Sequence, residues 1–221
     1  MTVSSYVLNT RTYLTDTTPP AALEDVSRRK NNGTFSAPPP TWVRNAQGIW
    51  VLNYDGVNNY VTLSTNPELL RVGKFTLLTW VKYVSLVGNK WIMGTGNSGT
   101  PSGYMLATSG ANPRMLFRDS VSFKDKAATN ITMSNNVWYL QAMVLDGANA
   151  YLYVNGVLGT GYAPAYTPPI TAGASAFRLG FLIEGINKFA GQLWKTRLVL
   201  KPLTQADLFA LYMSERRWLG V

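Results

Sequence analysis

The sequence predicts an all-β protein: a two-sheet antiparallel β-sandwich, or jelly roll, with one short C-terminal helix. Three observations carry that prediction. Apolar, β-branched and aromatic segments recur at roughly 8–12-residue spacing, the rhythm of sandwiches and barrels. Tight-turn pairs stand between them at Asp55-Gly56, Asp146-Gly147 and Asn155-Gly156. No strand-like segment alternates with a helix-length apolar period, which excludes a βαβ arrangement.

Taken in order, residues 1–20 are Thr/Ser-rich and read as an N-terminal arm in which Tyr6 and Leu8 pair as a short strand. Residues 21–221 form the sandwich domain. Ala21 to Pro40 reads as an irregular loop holding Arg28-Arg29-Lys30, a turn at Asn32-Gly33 and a triple proline. Trp50–Tyr54 and Tyr60–Leu63 flank Asp55-Gly56 and read as a hairpin. Phe75 to Val84 is apolar on both faces, as in a central strand of a two-layer stack. Trp91–Gly94, Gly103–Ala107 and Arg114–Arg118 continue a meander, with Asp119 and Asp125 in a loop. Val137–Leu145 and Ala150–Val154 meet at Asp146-Gly147. Tyr151 and Tyr153 share one face there, and Leu152 and Val154 the other. Phe177–Phe181 and Gly191–Leu200 are the last strands. Thr204 is an N-cap with Asp207 completing a capping box, and Leu208, Leu211 and Tyr212 form the helix's apolar stripe.

Composition removes whole classes of chemistry. The 221 residues include no Cys and no His. Disulfides, thiolate metal sites, Cys nucleophiles, Ser-His-Asp triads and His-ligated zinc are therefore excluded. Four Glu and seven Asp remain, and no two Glu stand at alternate positions of one strand, the pattern expected of a glycosidase carboxylate pair. The net charge of +9 points to an anionic partner such as an acidic glycan or an acidic protein surface. Nucleic acid is disfavoured, because neither Arg28-Arg29-Lys30 nor Arg216-Arg217 lies on a DNA-reading helix. The opening residues lack the pattern of a secretory signal, and no apolar run reaches the length of a membrane span.

Four segments together resemble the concanavalin A-like lectin/glucanase (laminin-G-like) family. They are Asp25-Val-Ser with Asn31-Asn-Gly-Thr; Leu52-Asn-Tyr-Asp-Gly-Val-Asn-Asn-Tyr-Val; Trp138-Tyr-Leu-Gln-Ala-Met-Val-Leu-Asp-Gly with Leu152-Tyr-Val-Asn-Gly-Val; and Phe189-Ala-Gly-Gln-Leu-Trp-Lys-Thr-Arg-Leu-Val-Leu. The resemblance implies two stacked, curved antiparallel sheets and leaves function open, since the fold serves enzymes, lectins, adhesion modules and virion proteins. Two departures matter. Tyr139 and Leu140 stand where the family places His after Trp138, and Trp194 and Lys195 stand where it places paired acids. In calcium-binding members one such acid is a ligand; Asp25 facing Lys195 makes a poor cation site. No metal and no cofactor are expected.

The candidate binding residues are aromatic and basic. Trp42, Trp91, Tyr104, Tyr162 and Tyr166 lie in or beside Gly/Pro loops. Three readings stay open for them: stacking on a sugar ring, a protein interface, or packing under a loop. Trp80, Trp138 and Tyr153 read as core. Arg28, Arg29 and Lys30 form a basic contact, and Asp55 and Asp146 are turn residues. The leading expectation is a non-catalytic structural protein of a phage virion, as capsid decoration or as part of a tail or fibre. Its partners would be capsid or tail proteins, further copies of itself and host-surface glycans, and its location the virion, assembled in the host cytoplasm. The alternative is a carbohydrate-binding module or lectin, extracellular or at a cell surface; a polysaccharide hydrolase or lyase is the remote third.

Overall fold

The computed structural model describes residues 6–13, 19, 21–63, 69, 73–95, 102–159, 165–170, 176–180 and 187–221. The strands are β1 (Tyr6–Asn9), β2 (Ala22–Leu23), β3 (Gly33–Phe35), β4 (Thr41–Arg44), β5 (Trp50–Asp55), β6 (Val61–Thr62), β7 (Phe75–Tyr83) and β8 (Asn89–Gly94) in the first half. The second half holds β9 (Tyr104–Ser109), β10 (Asn112–Arg118), β11 (Phe123–Ala127), β12 (Trp138–Leu145), β13 (Ala150–Val154), β14 (Val157–Leu158), β15 (Arg178–Leu179) and β16 (Ala190–Val199). The helix α1 (Gln205–Glu215) follows, with a 3₁₀ turn over Arg216–Trp218.

Two eight-stranded antiparallel sheets result. The first runs β14-β13-β12-β7-β16-β5-β4, with β1 also paired to β16; the second runs β11-β10-β9-β8-β15-β6-β3-β2. The all-β sandwich with one short C-terminal helix is thus the observed fold. The strand β1 belongs to the first sheet, in register Leu8↔Leu198, so this part of the expected arm is a strand of the sandwich.

Alternation of side chains sorts the strands into faces. On β7, Phe75, Leu77, Val81 and Tyr83 face the second sheet and meet Ile92, Leu106, Phe117 and Leu179 in the core between the layers. The other face of β7 carries Leu78 and Trp80, which join Trp138, Leu140, Tyr153, Trp194 and Leu208 in a second cluster beneath α1. This explains why the Phe75–Tyr83 strand is apolar on both faces: one face meets a sheet and the other a helix. Thr204 caps α1 with the expected box, its hydroxyl accepting from Asp207 N at 3.1 Å while Asp207 Oδ2 accepts from Thr204 N at 2.9 Å. Trp80, Trp138 and Tyr153 are core residues, as the sequence predicts.

Two turns match the sequence and one does not. The hairpins at Asp146-Gly147 and Asn155-Gly156 join β12 to β13 and β13 to β14. The Asp55-Gly56 turn instead crosses between sheets, because β5 pairs with β16 and β4 while β6 pairs with β3 and β15. Asp55 Oδ1 accepts from Val57 N at 2.7 Å and Asn58 N at 3.1 Å, and Asn59 Oδ1 accepts from Asp55 N at 2.8 Å; this reciprocal clasp turns the corner. Two further corrections concern the stretches read as loops. Gly33–Phe35 is a strand, and Asp125 lies on β11 opposite Leu116. Asn66-Pro67-Glu68-Leu69-Leu70, which reads from sequence as a single turn of helix or a loop, lies outside the described residues except for Leu69.

Candidate functional site

The structure separates the five candidate aromatics. Tyr104 opens β9 with its ring inward, fully buried, 4.7 Å from the Phe75 ring and donating its hydroxyl to Leu69 O at 2.6 Å. Burial pushes its phenol well above the ordinary tyrosine range. Tyr166 is also buried, its hydroxyl donating to Gly73 O at 2.6 Å and accepting from Gly147 N at 2.8 Å. Burial first, then the nearby Asp146 charge, raise its pKa to about 12 against the backbone donor that lowers it. Trp91 sits on the outer face of the second sheet, yet it is only 4% exposed. The Arg114 guanidinium lies 5.5 Å from its ring and also grips Asp125. These three belong to the packing of the sandwich and offer no open face to a sugar, which corrects the expectation for them. The reason is parity for Tyr104 and a non-local lid for Trp91. Tyr162 lies outside the described residues.

Trp42 remains. It stands on β4, the edge strand of the first sheet, opposite Leu52, and is half-buried. Tyr13 meets its ring edge-on at 5.2 Å and Phe35 lies tilted at 6.3 Å. Trp42 and Phe35 line a groove of about 490 Å³ whose other walls are Pro19, Ala21, Ser36, Pro39 and Pro40. The walls are fixed locally: Ser36 Oγ donates to Pro38 O at 2.6 Å and accepts from Tyr60 N at 2.9 Å. A shallow aromatic floor with stiff proline walls is suited to stacking on the apolar face of a ring. Sequence reasoning found Trp42 but missed Phe35, because pairing of β3 with β6 and of β4 with β5 brings the two together across the sheets. A second cleft on Trp42, reaching Tyr54 and Thr196, holds only about 10 Å³, room for one water molecule rather than a saccharide.

The basic residues Arg28, Arg29 and Lys30 are exposed on the loop between β2 and β3 and do not line the Trp42 groove. Their loop is held by Asp25, which is 2% exposed. Asp25 accepts from Asn9 N, Ser27 N, Ser27 Oγ and Asn31 N at 2.7–2.9 Å. Its lone pairs are spent on protein donors, and Lys195 pairs with Glu215 instead. Among the described residues no group of three or more Asp or Glu is placed to hold a metal ion.

The other described carboxylates also have structural partners. Asp119 accepts from Val121 N, Ser122 N and Thr167 N, and Asp146 from Ala148 N and Asn149 N. Burial opposes ionisation at both, but these donors outweigh it and hold both carboxyls below the usual carboxylate range. Glu24 pairs with Arg11, Asp125 with Arg114, Asp207 caps α1, and Glu215 is buried against Arg197 and Lys195. No pair of these carboxylates faces a common cleft. Among the described residues no helix is long and apolar enough to cross a membrane.

The fold is similar to several solved structures. The binding domain of Paraclostridial Mosquitocidal Protein 1 superposes with a TM-score of 0.74 at 14% identity, over 96% of this chain and 52% of that one. The receptor binding domain of botulinum neurotoxin D gives 0.66 at 15% identity, over 96% of this chain and 53% of that one. The binding domain of botulinum neurotoxin DC in complex with SialylT gives 0.65 at 15% identity, over 96% and 52%. The chain spans about half the length of these structures. No curated protein matches the sequence.

Those likenesses overturn the expectation of a phage virion protein. The three structures just described, each matched over 96% of this chain, are binding domains of a mosquitocidal protein and of botulinum neurotoxins, where capsid, tail or fibre proteins were expected. The virion assignment falls, and with it the capsid and tail partners and the location on a particle. The family resemblance stands: a family model described as the concanavalin A-like lectin/glucanases superfamily matches residues 55–209, well over half of the sequence. With that match, two stacked antiparallel sheets and the corner at Asp55-Gly56, the chain belongs to the concanavalin A-like lectin/glucanase superfamily.

Proposed function

We propose that this chain is a non-catalytic carbohydrate- or receptor-binding module that works outside the cell or at a cell surface, and that a sugar ring stacks on Trp42. The observation that carries the reading is the groove of Trp42 and Phe35: a partly exposed indole on an edge strand, with stiff walls and a volume suited to one or two sugar rings. Two facts support the non-catalytic part. The sequence has no His or Cys, and each described Asp and Glu is held by backbone amides, a cap or a cation rather than aimed at an open cleft. The similar toxin structures are binding and receptor-binding domains, which supports the receptor-binding part by analogy of fold.

A glycan array read with the soluble chain tests this. Micromolar binding to a neutral glycan, weakened about tenfold in Trp42→Ala and largely kept in Trp42→Phe, is the expected result for one lost aromatic stack. A melting curve on each variant separates loss of stacking from loss of fold. Binding unchanged in a folded Trp42→Ala variant refutes the site; no glycan bound at all refutes the reading. Release of reducing ends from any polysaccharide in a panel refutes the non-catalytic assignment.

A further inference from the structure

The outer face of the first sheet is only partly covered by α1. Beyond the helix the apolar cluster gives way to a polar cross-strand row, Asn53↔Gln192↔Lys82↔Trp138, running over β5, β16, β7 and β12. Parity forces this. Leu193 and Val81 face the core, so Gln192 and Lys82 face outward, on the same side as Trp80 and Trp194.

A pocket of about 420 Å³ stands over that row. Gln192, Lys82 and Trp138 form its base, the turn with Asn45 and Gln47 one wall, and Asn136 another. Residues 219–221 close the remaining side. The turn is rigid: Asn45 Oδ1 accepts from Gln47 N and Ile49 N, and Asn45 Nδ2 donates to Trp218 O at 2.7 Å. That last bond ties the turn to the end of the helical segment, so both walls are set by one side chain. The Asn136 side chain is presented by a backbone at φ 62°.

The lining holds Lys82, Arg44 and the side-chain amides of Asn45, Gln47, Asn136 and Gln192, and no acidic side chain; Arg44 has partners of its own, so Lys82 is the cation that the proposal uses. Arg44 is stacked on Trp50 at 4.8 Å. Lys82, Gln47, Asn136 and Gln192 make no side-chain hydrogen bond or ion pair among the described residues. A half-buried ammonium among unspent amides, on a rigid frame, is an arrangement for an anionic oxygen ligand that also presents hydroxyls: the ammonium takes the charge and the amides take the hydroxyls.

We propose that this pocket is a second ligand subsite, distinct from the Trp42 groove, and that it takes a saccharide bearing a carboxylate or a sulfate. The saccharide half of the proposal rests on the reading of the chain as a glycan-binding module; the anionic half rests on the lining alone. Lys82 supplies the charge contact and Gln192 and Asn136 the orientation.

The test uses matched probes on the full chain by calorimetry: trigalacturonate, its fully methyl-esterified form, and a sulfated galactose trisaccharide. The esterified probe keeps the sugar skeleton and loses the charge, with a methyl group added to each carboxyl. The acid is expected to bind about tenfold more tightly than the ester, the scale of one charge-assisted hydrogen bond. Lys82→Gln is expected to erase that difference, and Gln192→Ala to weaken both forms. Trp42→Ala is expected to leave the difference intact, which separates this subsite from the aromatic groove. Comparing the acid with the sulfated probe decides whether carboxylate or sulfate is the better ligand; preference for either supports the proposal. Equal binding of acid and ester, a preference that survives Lys82→Gln, or no binding of either charged probe overturns it, whatever the fate of neutral-glycan binding at Trp42.

Discussion

The sharpest prediction concerns the buried charge cluster that fastens the C-terminal helix to the first sheet. Glu215 is 6% exposed and Arg197 is 5% exposed. Glu215 Oε2 accepts from Trp80 Nε1 at 2.8 Å and Arg197 Nη1 at 3.3 Å, and Oε1 accepts from Lys195 Nζ at 3.0 Å and from Arg197 Nη2. Burial alone would raise its pKa, but the Arg197 charge and hydrogen bonds, then Lys195 and Trp80, outweigh it and hold the carboxyl below its ordinary value. Lys195 moves in the opposite sense from a simple ion pair: burial lowers its pKa, and repulsion from Arg197 adds to that, against the pull of Glu215. One carboxylate is therefore shared by two cations, with Arg197 as the principal partner. Replacing Glu215 by Gln keeps the shape and an acceptor for Trp80 while removing the charge, which leaves the Arg197 guanidinium buried and uncompensated. Removing one partner of a buried pair costs about 3–5 kcal/mol. For a chain of this size that corresponds to a fall in Tm of roughly 6–20 °C. Urea unfolding followed by tryptophan fluorescence reads it directly, since Trp80 and Trp194 lie in the same cluster. The double variant Glu215→Met with Arg197→Met should recover much of the loss, because the one cation left without its acid, Lys195, is about a quarter exposed (24%) and can turn to water. A Glu215→Gln variant that loses less than about 1 kcal/mol would refute the reasoning, since it would mean that water already serves the guanidinium.

Two further predictions follow from particular side chains. Tyr104→Phe removes only the hydroxyl that donates to Leu69 O and should cost about 1–3 kcal/mol, with no change in any glycan affinity, because the carbonyl loses a buried partner while the ring stays in the core. Acid should unfold the chain mainly below the ordinary carboxylate range. Asp55, Asp119, Asp146, Asp207 and Glu215 are all lowered in the folded state, so their stabilisation is present above the unfolded pKa, about 4, and is lost as pH falls through the folded values. A melting temperature that stays flat from pH 5 to pH 2 would contradict this.

The parts of the fold that could be read from sequence are those fixed by neighbours in the chain. Asn155-Gly156 makes a two-residue hairpin wherever it falls between strands, and Asn155 indeed adopts φ 54°. Thr204 and Asp207 cap a helix through contacts three residues apart. The same local chemistry misleads at Asp55-Gly56, because an Asp clasp suits a hairpin and a corner between sheets equally well. What decides there is pairing with β16, more than a hundred residues away in sequence, and no local signal carries it. The candidate site divides the same way. Proximity to Gly/Pro loops picked out Tyr104, whereas the period of β9 places Tyr104 and Leu106 on one inward face, a signal the sequence does contain. Trp91 could not be judged locally, since the guanidinium that covers it comes from β10. The pocket over Lys82 was missed because its base, Gln192, Lys82 and Trp138, comes from three strands brought into line only by register, and its walls come from separate turns and residues 219–221.

The acids also explain the sign of the surface. Asp25, Asp55, Asp146 and Asp207 spend their charge mainly on backbone amides and hydroxyls within their own turns and cap. Glu24, Asp119, Asp125 and Glu215 meet cations. With 20 basic residues against 11 acidic ones, the chain carries nine positive charges more than it has acids. Such an excess attracts anions over distances of about one Debye length, roughly 8 Å at physiological salt. The scarcity of acids that denies this sandwich a carboxylate pair for hydrolysis therefore also gives it a field that draws acidic ligands inward. The pocket over Lys82, with two cations and no acidic side chain in its lining, is a place where that field has somewhere to deliver them.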